Sequence, residues 1–235
     1  MQLIWHGHST WQVRVGDTGF VIDPMFDNPY STTDPETVDA EYLLLTHGHA
    51  DHIADVGAFV DRATVVSTPE LTGWVSDEFG TDDTIGFNMG GTIECGDAYV
   101  TMVPAFHTNG IGMDYGLDAG IPSGVILSET PPDASGVSFY HAGDTSLMSE
   151  MRDVIGTHLT PTAAALPIGD HFTMGPRQAA IAVEWLGVDH AFPMHYNTFP
   201  PIEQDPEDFV SAVGETASDA AVHVLDAGEA FDLTV

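Results

Sequence analysis

Lysine is missing from this chain altogether. The 235 residues hold only four basic side chains, all arginine (Arg14, Arg62, Arg152 and Arg177), against 36 aspartates and glutamates, for a formal net charge of -32. Phosphate backbones are bound through basic patches and counterion release, so a nucleic-acid partner is not expected. Cysteine occurs once, as Cys95. That excludes an internal disulfide framework and any cysteine-based zinc site, and leaves Cys95 as a small buried hydrophobe on a strand. No apolar run approaches the roughly 18–20 residues that span a bilayer, so no membrane association is expected. The opening "MQLIWHGHSTWQVRV" lacks a basic segment followed by an apolar one, which argues against a secretory signal and for a cytoplasmic address. Ser9, Ser67 and Ser146 lack the Gly-x-Ser-x-Gly context of a serine hydrolase.

What is present is a strand-rich globular pattern without linkers or low-complexity segments, read as a single domain over 1–235. Short runs rich in Val, Ile and aromatics, bounded by Gly, Pro, Asp or Asn, predict strands at 2–5, 11–15, 19–23, 41–46, 63–68, 91–96, 98–105, 124–129, 136–143, 163–168, 190–195 and 221–226. Helical patterns cover 51–62, 69–79, 146–156, 175–187 and 206–218, with Pro69, Pro176 and Pro206 where a first-turn proline is tolerated. Hairpins dominate the first half and strand–helix alternation the second. This predicts one α+β or α/β domain with stacked sheets and outer helices. The Gly-rich stretch at about 106–124 is a long irregular loop of the kind that is either functional or mobile.

Histidine supplies the chemistry. "THGHADH" sets His47, His49, Asp51 and His52 at a predicted strand-to-helix turn, where small Gly48 and Ala50 let the backbone fold around a common point. Neutral imidazoles and a carboxylate are first-choice ligands for zinc and acceptable ones for manganese or iron. Further ligand types stand at other predicted strand ends: His107 after "VTMVPAF", Asp144 in "HAGDT" and His195 closing "AFPMH". Active sites of layered α/β folds gather at such carboxyl ends. "WHGHST" repeats His-Gly-His but lacks the Asp-His that would complete a site, so His6 reads as a structural or surface residue.

The ordered series His-x-His-x-Asp-His, His, Asp, His resembles the metallo-β-lactamase superfamily. "GHST", "IDP", "HAGDT", "PIGDHFTMGP" and "PMHYNTFP" are similar to its small metal-dependent hydrolases related to ascorbate-6-phosphate lactonase. The resemblance covers essentially the whole chain. It implies an αββα sandwich, α+β in class, and two divalent metal ions, with zinc the default. His47, His49 and His107 would hold the first ion, Asp51, His52 and His195 the second, and Asp144 would bridge them. The same resemblance places His8 near the centre, in contact with substrate or with a carboxylate that supports a ligand; Asp23 either supports a ligand or orients the turn before Pro24, and His171 faces either the pocket or solvent. Two divalent ions sharing a water lower its pKa from 15.7 toward roughly 7 and so supply a hydroxide nucleophile. Asp51 would orient it or take its proton. The expected activity is hydrolysis of an ester or lactone of a small molecule. A phosphodiesterase or nuclease of the same fold, or a non-catalytic metal-binding protein, is the alternative. A homo-oligomer is compatible with all three.

The acid excess has a physical consequence of its own. With 43% hydrophobic residues the chain can bury a core, so its charge does not signal disorder. Self-repulsion at this charge destabilises the compact state until salt screens it, at a Debye length of about 3 Å in 1 M salt. A salt-rich cytosol, as in a halophile, is the expected setting. Unfolding curves at increasing KCl should show stability rising with salt, and stability that is flat or falling would contradict this.

Overall fold

The computed structural model describes residues 1–111, 117–132 and 134–234. Among them, two seven-stranded sheets are built on one plan. The first contains β1 (Gln2–Trp5), β2 (Trp11–Val15), β3 (Thr18–Ile22), β4 (Tyr42–Leu44), β5 (Thr64–Ser67) and β6 (Thr84–Gly86). The second contains β7 (Thr92–Cys95), β8 (Ala98–Pro104), β9 (Ser123–Ser128), β10 (Ser138–His141), β11 (Ala163–Pro167), β12 (His190–Met194) and β13 (Ala221–Val222). The last strand, β14 (Ala230–Asp232), returns to the first sheet and pairs antiparallel with β1. Each sheet opens as an antiparallel meander, β1–β2–β3 or β7–β8–β9–β10, and continues with parallel strands.

Alternation along the strands decides what each face meets. Phe20, Ile22, Leu44 and Val66 point into the interior between the sheets, where they join residues of the second sheet in one core. Trp11 spans that interior, with its ring 5.3 Å from Phe139 and 5.4 Å from Phe192. Val21, Leu43 and Val65 face outward into a second core with Phe59, Leu71 and Val75. Parallel strands buried on both faces read as near-continuous apolar runs, which is why "YLLL" carries no polar alternation. Helix α1 (Ala50–Ile53) follows β4, and α2 (Pro69–Phe79) covers the outer core of the first sheet. Helices α3 (Pro176–Leu186) and α4 (Pro206–Gly214) add Ala179, Val183, Phe209 and Val213 to the other core. This is the expected α+β sandwich of two stacked mixed sheets flanked by helices. None of the described helices is long and apolar enough to cross a membrane.

Two helical expectations are corrected. The pattern at 51–62 forms only the short α1 and a 3₁₀ turn at Val56–Ala58. Tertiary bonds break it at Asp55, whose N–H donates to Pro24 O at 3.0 Å and whose carboxylate accepts the Phe26 N–H at 2.6 Å. The helix expected at 146–156 lies at Met151–Leu159 with π winding. There the Thr157 hydroxyl donates to the Arg152 carbonyl five residues back, at 2.7 Å. Strands β6 and β14 escape sequence reasoning because each has three residues and is defined only by its pairing. Of the irregular stretch 106–124, residues 112–116 lie outside the described residues.

Strand β4 carries the histidine turn and is buried on both sides, so either face should be equally costly to empty. Leu43→Ala and Leu44→Ala, both 0% exposed, should each lose about 2–5 kcal/mol in chemical denaturation at constant KCl. A loss below about 1 kcal/mol at either position would contradict the two-core arrangement.

Candidate metal centre

Six strands run in the same direction and end at one side of the sandwich: β1, β3 and β4 in the first sheet, and β8, β10 and β12 in the second. Their carboxyl ends release His8, Asp23, the His47–His52 turn, His107, Asp144 and His195. Two glycines make these turns possible. Gly7 has φ +92° and a Cβ there would strike the Asn28 side chain; Gly143 has φ +61° and would strike Thr46 and the Ser123 carbonyl. His8 (φ +50°), Asp23 (φ +49°) and His195 (φ +55°) are non-glycine residues in left-handed backbone. Asp and His tolerate that region better than most, and its concentration here is typical of a functional site.

The ligand-type side chains form two adjoining clusters at the cavity, and a third grouping, Asp23, His47 and His52, is fully buried. His47, His49 and His107 bring nitrogen atoms within 4.8 Å of one another, and so do His8, Asp51, His52 and His195 for their nitrogen and carboxylate atoms. Asp144 lies between them. Its Oδ2 is 3.6 Å from His107 Nε2 and 3.0 Å from His195 Nε2, and its Oδ1 is 3.4 Å from His52 Nε2. These atoms are close without being aligned to bond one another. His52 Nε2, His195 Nε2 and Asp144 Oδ1 are buried and make no hydrogen bond. Buried polar atoms are almost always satisfied, so three orphans converging on one volume fit a cation there.

A hydrogen-bonded framework sets the ring orientations. The Thr46 N–H and hydroxyl donate to Asp23 at 2.8 and 2.6 Å. That commits the hydroxyl proton, so Thr46 Oγ1 accepts from His47 Nδ1 at 3.0 Å and leaves the lone pair on His47 Nε2, which lies 3.1 Å from His49 Nδ1. Asp23 Oδ2 also accepts from His52 Nδ1 at 2.7 Å, turning His52 Nε2 inward. This carboxylate–imidazole arrangement is the usual support of a metal-ligating histidine. The motif turn itself is anchored by the Gly48 N–H, which donates to Asn109 Oδ1 at 2.7 Å.

Charge differs between the clusters. Burial pushes His47, His49 and His107 below the ordinary imidazole range, so these rings are neutral lone-pair donors. Burial would also lower His52 and His195, but the neighbouring carboxylates reverse this. Asp144, Asp23 and Asp51 raise His52 well above its usual value, and Asp144, with Asp51 in support, lifts His195 to about 9. Conversely, burial alone would raise Asp51 and Asp144, yet the histidines hold both below the carboxylate range. The carboxylates thus attract positive charge at the place where a metal would sit.

A cavity of about 210 Å³ opens onto both clusters, lined by His49, Asp51, His107, Thr108, Asp144, Phe172 and His195. A larger one, about 330 Å³, lies at the opposite ends of β9 and β10 among Ser128, Ser138, Thr162 and Asp189, and holds no imidazole. Of the sequence candidates, His49, Asp51, His107, Asp144 and His195 line the first cavity, and His47 and His52, both fully buried, belong to the clusters without lining it. Asp23 lies behind His52, and His8 behind Asp51. His171 does not line the cavity: it is exposed, with its ring against Phe172 at 4.5 Å. Sequence reasoning missed Thr46, Asn109 and Thr198, which orient the site through hydrogen bonds. Thr46 had a signal, its place directly before the histidine motif, whereas Asn109 and Thr198 are brought in by folding alone. His190 and His223, which have no partner evident in the sequence, lie 3.0 Å apart.

The chain matches the model of the beta-lactamase superfamily domain over residues 18–196. It is 59% identical over 238 residues to a UPF0173 metal-dependent hydrolase of Halobacterium salinarum, covering 100% of this chain and 99% of that one. A UPF0173 metal-dependent hydrolase of Methanopyrus kandleri is 40% identical over 236 residues, covering 99% and 100%. Among solved structures, Igni18, a metallo hydrolase from Ignicoccus hospitalis, aligns with TM-score 0.86 at 35% identity over 99% of both chains. The metallo-beta-lactamase fold protein YhfI from Bacillus subtilis shares the fold, with TM-score 0.73 at 12% identity. The chain is therefore a member of the beta-lactamase superfamily, within its UPF0173 group of metal-dependent hydrolases.

Proposed function

We propose that the protein is a two-metal hydrolase acting on a neutral ester or lactone. The observation that carries the reading is the pair of adjoining ligand clusters with Asp144 between them and three unsatisfied buried atoms aimed into the gap. His47, His49 and His107 would hold one divalent ion; Asp51, His52 and His195 would hold the other, with Asp144 shared. Zinc suits this nitrogen-and-oxygen set, and manganese and iron are also compatible with it. Such ions, when bound, polarise a carbonyl and make water a nucleophile at neutral pH.

The chain's own residues do the rest. Asp51 faces the cavity with its side chain 26% exposed and is the carboxylate placed to orient water or take its proton. Apart from Asp51 and the other ligand-type residues, the described lining consists of Thr108 and Phe172. One hydroxyl and one aromatic ring suit a neutral group with an apolar part. A phosphate ester would want a cation, and neither the described lining nor the sequence 112–116 contains arginine or lysine. Arg14 bonds Asp39 and the Asp17 carbonyl, Arg62 bonds three carbonyls, Arg152 bonds Asp153, and Arg177 is exposed on α3. The acid excess, together with relatives from halophilic archaea, supports work in concentrated salt.

The test is metal analysis followed by a hydrolysis screen in high KCl over aryl esters, lactones, thioesters and bis-nitrophenyl phosphate. Two metal equivalents and chelator-sensitive turnover of an ester or lactone are expected. Asp144→Ala should lose metal and more than about 100-fold of the activity, since even residues that only support a ligand are worth 10–100-fold. Full metal content and turnover in that variant, or turnover of the phosphodiester alone, would overturn the reading.

A further inference from the structure

His8 offers a nitrogen to the Asp51, His52 and His195 cluster, so by composition alone it would count as a fourth protein ligand there. Its hydrogen bonds argue otherwise. Nε2 lies 3.0 Å from Asp51 Oδ2 and Nδ1 lies 2.7 Å from the Thr198 hydroxyl. An ionised carboxylate has no proton to give, so Nε2 carries the hydrogen and donates it to Asp51. A protonated nitrogen cannot ligate a metal. In the neutral ring Nδ1 is then an acceptor, and Thr198 is its donor.

The surroundings hold this arrangement in place. His8 is 0% exposed and packed between three rings, 4.1 Å from His195, 5.5 Å from Phe199 and 5.6 Å from His52. It does not reach the cavity. Its carbonyl accepts the His195 N–H and the Trp5 indole N–H, both at 3.0 Å. Thus one residue in left-handed backbone grips two members of the cluster, Asp51 through its ring and His195 through its backbone. A carboxylate on the short helix α1, partly open to solvent, would otherwise be free to rotate about its side-chain torsions.

We propose that Thr198, His8 and Asp51 form a fixed hydrogen-bond relay in which His8 is a positioning residue and not a metal ligand. The Asp51 carboxylate fixes the His8 tautomer, and Thr198, bonded to Nδ1, holds the ring that in turn positions that carboxylate. The inference rests on the two-metal reading for its effect on affinity, but the proton on His8 Nε2 can be read independently of how many metals bind.

The experiment uses the full chain in high KCl. First, histidine-¹⁵N protein loaded with ¹¹³Cd is examined by NMR. His8 Nε2 should show a directly attached proton and no cadmium coupling, while His47, His49, His52, His107 and His195 couple. Cadmium coupling at His8 would overturn the proposal. Fewer than two bound metals in the unaltered protein would refute the two-metal reading while leaving the His8 result decisive. Second, zinc affinity is measured by chelator competition in Thr198→Val and Thr198→Ser. The valine variant keeps the shape but not the donor, and should bind the weaker zinc equivalent about 10–100-fold less tightly. The serine variant should recover to within about 3-fold, well inside that range. Unaltered zinc affinity in Thr198→Val, or a loss that serine fails to restore, would overturn the relay.

Discussion

Asp144 is buried to 3% exposure among imidazoles, yet its Oδ1 receives no hydrogen bond, and the nearest nitrogens of His52 and His195 are unsatisfied as well. Leaving a buried polar atom unpaired costs roughly 1–3 kcal/mol, and more for a charged group. A fold does not carry three such atoms in one place without something to complete them. Much else follows from that requirement: the left-handed turns, the Asp23 and Thr46 framework, and the parallel strand ends that deliver each group.

The two sheets share this work unevenly in kind. The first sheet supplies a continuous turn, His47 to His52, and the carboxylate behind it at Asp23. The second supplies single residues, one after each of β8, β10 and β12. Antiparallel strands within the meanders, β2 and β9, run the other way and contribute no ligand. Doubling the same topology therefore lets two unrelated stretches of sequence approach one volume from opposite sides. The interior aromatic contacts of Trp11 with Phe139 and Phe192 hold the sheets at the separation that this meeting needs.

Much of this was legible in the sequence, for identifiable reasons. Strands such as 11–15 and 163–168 declare themselves because β-branched or small apolar residues fill buried positions between turn residues. Their ends then locate His107, Asp144 and His195. The histidine turn is local and so readable as a motif. Contacts that span the chain were not readable: Thr198 meets His8 across 190 positions, and Asn109 meets Gly48 across 61. The helix pattern at 51–62 misled because periodicity says nothing of Asp55, whose bonds to Pro24 and Phe26 stop the helix. His171 sits in a loop whose neighbour, Phe172, is the residue that turns to the cavity.

The surface and the site obey different electrostatic logic. Outside, acids far outnumber cations and depend on dissolved salt for screening. Inside, Asp23 and Asp144 are too enclosed for salt to serve, and with Asp51 at the cavity wall they are balanced by imidazoles and, on this account, by metal. Anomalous X-ray diffraction from a crystal grown in KCl with zinc tests that most directly. Two peaks are predicted, one among His47, His49 and His107 and one among Asp51, His52 and His195, with Asp144 between them. A single peak elsewhere, or none in a fully zinc-exposed crystal, would contradict it.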